Sequence, residues 1–169
     1  PKSVLSSYPP GYSGAGEEIE AVDETNGARL CSCSFSDNAV EHKIIRINTG
    51  RGYKGEEERP TQIPFIAAGF FLARAEFLVD VPFDPLMPWL FMGEEIALSV
   101  RAWTSGWNIY APRKNLISHQ YRPGRMGLPK FWGTVNRLFH RGAMNNNLQG
   151  TVVRRVKNLV GYADSTKEI

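Results

Sequence analysis

Cysteine is nearly absent from this chain of 169 residues: only Cys31 and Cys33 occur, which excludes a disulfide-stapled scaffold. A C-x-C pair on a strand shares one face, yet such neighbours seldom meet disulfide geometry, and zinc would need two further ligands that no second pair supplies. Buried reduced thiols are therefore expected, and they favour a reducing compartment such as the cytoplasm. Histidine is almost as scarce, with His42, His119 and His140 alone. No apolar run approaches the ~18–20 residues of a membrane span. There is no P-loop, no G-x-G-x-x-G, no H-E-x-x-H and no G-x-S-x-G, so the common phosphate-binding, zinc-protease and hydrolase signatures are missing. No internal repeat is visible.

What is present is the composition of an ordinary globular domain, 42% hydrophobic and 22% charged, with 16 Gly and 11 Pro predicting many turns. The net charge of +3 is unevenly placed: residues 126–169 hold seven basic and two acidic groups. Arg154, Arg155 and Lys157 lie on an amphipathic segment, where a solvated helix face accounts for them better than nucleic acid does.

Along the chain, residues 1–27 read as a surface loop ending in an Asn26-Gly27 turn. Ala28–Phe35 alternates and His42–Asn48 is β-like, so a hairpin across Ser36–Glu41 is expected. Thr49–Pro60 reads as a mobile connection. Ile63–Ala68 predicts a buried strand broken at Gly69 and resumed at Phe70, followed by a short helix around Arg74–Val79 and a shaped loop, Val81–Pro85. A helix opens at Glu94, with Ile96, Val100 and Trp103 on one apolar face and Gly106 as its stop. Asn108–Ala111 and Leu116–His119 read as short strands. Phe131–Phe139 predicts a helix stopped by Gly142, and Asn145-Asn146-Asn147 a polar break before a last helix carrying Val152, Val153, Val156, Leu159 and Val160. The alternation of strands and helices points to an α/β fold.

The chemistry gathers at Phe91-Met92-Gly93-Glu94-Glu95-Ile96. Acids in a first helical turn gain about 0.3–1 kcal/mol each from the macrodipole, which accounts for at least one of them. The aromatic lead-in Pro88-Trp89-Leu90-Phe91 favours more, because a carboxyl between apolar walls has its pKa tuned by desolvation. Gly93 would let the backbone approach a ligand closely. Trp89 and Trp107 could stack on sugars, and Trp103 would pack in the helix core. His119 on its own reads more readily as a half-buried hydrogen-bonding side chain than as a metal ligand.

The order of motifs is more specific than any one of them. Pro64-Phe65-Ile66-Ala67-Ala68-Gly69-Phe70-Phe71 is followed by Val81-Pro82-Phe83-Asp84-Pro85. Then come Gly93-Glu94-Glu95-Ile96 with its helix to Trp107, Tyr110-Ala111-Pro112, and His119-Gln120-Tyr121-Arg122. This order resembles the C-terminal half of a GT-A glycosyltransferase, specifically the Skp1-type hydroxyproline N-acetylglucosaminyltransferase family, and more distantly the polypeptide N-acetylgalactosaminyltransferases. The likeness is strong over about residues 60–125. It implies a mixed sheet with flanking helices, divided into a loop-rich segment with a hairpin insertion (1–59), the half-core (60–125) and a basic helical tail (126–169). It also implies retaining transfer of GlcNAc from UDP-GlcNAc to a hydroxyl of a protein acceptor. Ala68 and Gly69 would lie against the donor sugar, with Gly93, Glu94 and Glu95 facing sugar and acceptor. Glu94 and Glu95 would position the sugar or assist as acid or base, and His119 would be a late ligand to Mn²⁺ or another divalent cation holding the diphosphate. The Asp-x-Asp or Asp-x-His metal motif of such enzymes is missing, so the nucleotide-binding half is expected to precede Pro1, leaving the isolated chain inactive. The alternative is a non-catalytic carbohydrate- or protein-binding module with a degenerate glycosyltransferase fold.

Overall fold

The segment nearest the start of the chain takes a central place in the main sheet, paired on both sides. The structure, a computed structural model, describes residues 1–11, 27–37, 43–48, 59–120 and 142–162, and for 142–149 the backbone alone. Strand β1 (Ser3–Ser6) pairs in parallel with β6 (Asn108–Ala111) and antiparallel with β5 (Phe71–Ala73). The two-residue strand β4 (Thr61–Gln62) closes the order β4-β6-β1-β5. A second, two-stranded sheet joins β2 (Ser32–Phe35) to β3 (Ile45–Asn48), with Phe35 opposite Ile45. With helices α1 (Glu76–Asp80), α2 (Glu94–Thr104) and α3 (Gly142–Val160), the fold is α/β with a mixed sheet and flanking helices.

The expected hairpin, β6, the helix near residue 76 and the helix at Glu94 are all found. Other expectations are corrected. Ser3–Ser6 is no surface loop: Val4 and Ser6 are fully buried, because alternation turns both toward the core. Leu116–His119 forms no strand; Leu116 and Ile117 are exposed, and His119 makes one isolated bridge to Gly11. Nor is Asn145–Asn147 a break, since the α3 backbone runs helically through it and packing of the following turns outweighs the weak helix propensity of Asn. Cys31 and Cys33 are free but exposed rather than buried. The readings of residues 12–26, 49–58, 121–122 and 131–139 lie outside the described residues.

Two apolar clusters hold α2 from opposite sides. Leu98 and Ala102 face a core built from Val4, Leu30, Ile63, Ile66, Phe77, Trp107 and Ile109. Ile96 and Ala97 face a second core with Ile44, Val153 and Val156. The single apolar face read from Ile96, Val100 and Trp103 is thus replaced by two, with Trp103 exposed and its Nε1 donating to Pro64 O (2.8 Å). Helix α2 ends in a Schellman motif: Gly106 N donates to Trp103 O and Trp107 N to Ala102 O, both at 3.0 Å, with Gly106 at φ +79°. That stop turns Trp107 inward, edge-on to Phe77 at 5.1 Å, with its Nε1 donating to Asp80 Oδ2 (3.0 Å).

Candidate functional site

In an open α/β sheet the loops beyond the carboxyl ends of parallel strands are free of ladder bonds and gather at one edge. Here β1 and β6 are the parallel pair, and both run toward the same edge. Beyond β1 the chain continues through Ser7, Tyr8, Pro9 and Pro10 to Gly11; beyond β6 it reaches His119, whose N–H donates to Pro10 O (2.9 Å). The antiparallel neighbour β5 begins beside Ser6, so the Ala68–Gly69 turn that precedes it stands at this edge too.

The turn is tight, with Ala67 bridged to Phe70. Its backbone donors find side chains instead of a neighbouring strand. Ile66 N–H donates to Ser99 Oγ (2.8 Å), Ala67 N–H to Ser6 Oγ (2.7 Å) and Ala68 N–H to Glu95 Oε1 (2.8 Å). Ser6 Oγ in turn donates to Phe70 O (2.8 Å), and Ser99 Oγ to Glu95 O one turn back in α2 (2.6 Å). The other Glu95 oxygen accepts the Tyr8 hydroxyl (2.5 Å). Glu95, Ser99 and Ala102 lie at i, i+4 and i+7, so one face of α2 supplies both the braces and the core contact beneath them.

Glu94 meets different surroundings one residue away. It is largely buried, its Oε2 has no hydrogen-bond partner, and burial, aided by the neighbouring Glu95, pushes its pKa up to about 8. Such a carboxyl is protonated at neutral pH and can donate a proton, the property expected of a general acid.

The structure therefore brings Ala68, Gly69 and Glu95 together, with His119 tied to the same strand extension. It does not bring the others to this turn. Trp107 is 1% exposed and is a core residue, so no ring face is offered to a sugar. Gly93, at φ +105°, caps α2 with its α-carbon against Ile44 and Val156; a Cβ there would stand 3.0 Å from Ile44 Cδ1 and 3.3 Å from Val156 Cγ1. Its close approach is to the side chains of Ile44, just before β3, and Val156 of α3 rather than to a ligand. Trp89 lies on the loop before α2, 40% exposed and at φ +60°, a conformation costly for a bulky residue. Its partly open ring is compatible with stacking on a sugar.

Ser6, Tyr8 and Ser99 were not foreseen. For Ser99 the available signal was its place one helical turn after Glu95; for Ser6 and Tyr8 the local sequence carries none. For the divalent cation, no three His, Cys, Asp or Glu side chains converge among the described residues. Exposed His119 is a single donor, which does not fit a Mn²⁺ site by itself.

The family model described as Glycosyltransferase (GlcNAc) matches residues 1–169. No curated protein and no solved structure matches the chain.

Proposed function

The chain belongs to the Glycosyltransferase (GlcNAc) family, and on that premise we propose that it serves the transfer of GlcNAc from UDP-GlcNAc to a hydroxyl of a protein acceptor, with retention of configuration. The donor edge in this reading is the carboxyl end of β1 and β6. Glu95 is a positioning residue that holds the Ala68–Gly69 turn for the sugar, and Glu94 is the protonated carboxyl that assists proton transfer. Trp89 offers the aromatic surface. A divalent cation belongs to this reading only as a group held mainly by donors other than His119. A cytoplasmic setting belongs to the same reading.

The observation that carries the proposal is the Glu95 carboxylate, placed between the Tyr8 hydroxyl and the Ala68 amide at the edge where α/β sheets bind ligands. Calorimetric titration of the full-length protein with UDP-GlcNAc and with UDP tests it. Tighter binding of UDP-GlcNAc than of UDP is expected, and Glu95→Ala should erase that difference while leaving UDP binding in place. Equal affinity of the full-length parent for both nucleotides would overturn it.

One observation favours the second reading, a non-catalytic carbohydrate-binding module: both Glu95 oxygens are already engaged within the protein. Sugar binding without release of UDP, even with acceptor protein supplied, decides for that reading.

A further inference from the structure

The three side chains that brace the turn are not equally constrained. Ser6 and Ser99 each carry a hydroxyl on a short arm, and each hydroxyl is also fixed by donating to a carbonyl. Glu95 has a longer side chain with three rotatable bonds, and one amide contact would leave it several rotamers. The contact that removes this freedom is the Tyr8 hydroxyl on Oε2. Tyr8 is itself placed on two sides: its ring packs against the core beneath the sheet, and its chain leads within two residues to Pro10, whose carbonyl receives His119 N–H.

We propose that Tyr8 is a positioning residue of the sugar site. Its hydroxyl holds the Glu95 carboxyl group against the Ala68 amide and so sets where the Ala68–Gly69 turn stands relative to the donor. It also makes the strand extension that carries the His119 contact part of the same rigid edge. This rests on the glycosyltransferase reading given above. The chemistry is modest and specific, since a phenol directed at a carboxylate is stronger than a neutral pair and its loss leaves the ring in place.

Tyr8→Phe removes that donor and keeps the packing. Hydrogen exchange at the Ala68 amide should quicken by roughly tenfold, because its acceptor is no longer held, while the Ala67 amide, held by Ser6, should keep its rate. Binding of UDP-GlcNAc should weaken about tenfold with UDP binding unchanged, a split that loss of folded protein cannot produce. In a Glu95→Ala background the same substitution should add nothing, since it acts through Glu95. Unchanged Ala68 exchange, or losses that simply add in the double variant, would overturn the proposal. A full-length parent that does not distinguish UDP-GlcNAc from UDP sinks the glycosyltransferase reading and the sugar-site role together. A discriminating parent with an unaltered Tyr8→Phe variant sinks the role of Tyr8 alone.

Discussion

The two flanks of α2 solve the same burial problem with different chemistry. Toward the sheet, Leu98 and Ala102 supply apolar contact while Glu95 and Ser99 give the neighbouring turn hydrogen-bond acceptors. Toward β3 and α3 the described contact is apolar, with Gly93, Ile96 and Ala97 set against Ile44, Val153 and Val156. The sheet flank specifies position, because hydrogen bonds fix distance and angle. The other flank specifies only fit, and a misfit there is felt as volume. Glu94, at the helix start, belongs to neither arrangement: it is a buried acid with an oxygen unpartnered.

The contrast breaks most severely at Gly93. Gly93→Ala forces a left-handed residue to carry a Cβ and drives that Cβ into Ile44 and Val156, so a loss of roughly 2–4 kcal/mol is expected in urea denaturation. A loss under about 1 kcal/mol would mean that the α2–α3 contact gives way freely, contrary to the close packing described.

Glu94 provides a pH-dependent version. Its folded pKa, about 8, stands above the ordinary glutamate value of 4.5. The folded state therefore keeps a proton that the unfolded chain releases, and stability falls as pH rises from about 4.5 to about 8, levelling above. The shift allows up to roughly 3 kcal/mol by pH 7, less whatever relaxation of the site recovers. Glu94→Gln should flatten this slope, matching the parent near pH 4.5 and exceeding its stability by about 1–2 kcal/mol at pH 8. Parallel pH profiles for the two proteins would show that Glu94 is not the buried acid described.

On the sheet flank, Ser99→Ala leaves the Ile66 N–H without its acceptor, at an expected cost of about 1–2 kcal/mol. Because Ile66 sits just before the turn, the same variant should speed exchange at the Ile66 amide more than at any amide of α3. Uniform acceleration across the molecule would instead indicate a global loss of stability.

Legibility in the sequence followed locality. The β2–β3 hairpin, β6, and α2 with its Gly106 stop are set by alternation, spacing and one glycine within a few residues, and each was readable. Strand β1 was not, because Val4 is buried only by pairing with Ala73 and Ile109, and nothing near Val4 announces those partners. Trp107 misled for a related reason: tryptophan suits both sugar stacking and a core, and the Schellman turn that points it inward is a property of Gly106. At Gly93-Glu94-Glu95 the residue types drew attention to the right helix terminus, but not to which carboxyl would brace a turn and which would be buried. That division depends on Tyr8 and the Ala68 amide, 87 and 27 residues away from Glu95.

The central position of β1 has a kinetic consequence. Its two ladders join Val4 to Ala73 and to Ile109, so neither can form until long stretches of chain have been brought back to the first strand. Such non-local pairing pays loop-closure entropy before any hydrogen bond is gained, and slows folding accordingly. The local pieces, α2 and the β2–β3 hairpin, can form in microseconds. The sheet edge bearing Tyr8, Ala68 and Glu95 must therefore be among the last features to assemble, and until then β5 and β6 expose unpaired edges that invite association with other chains.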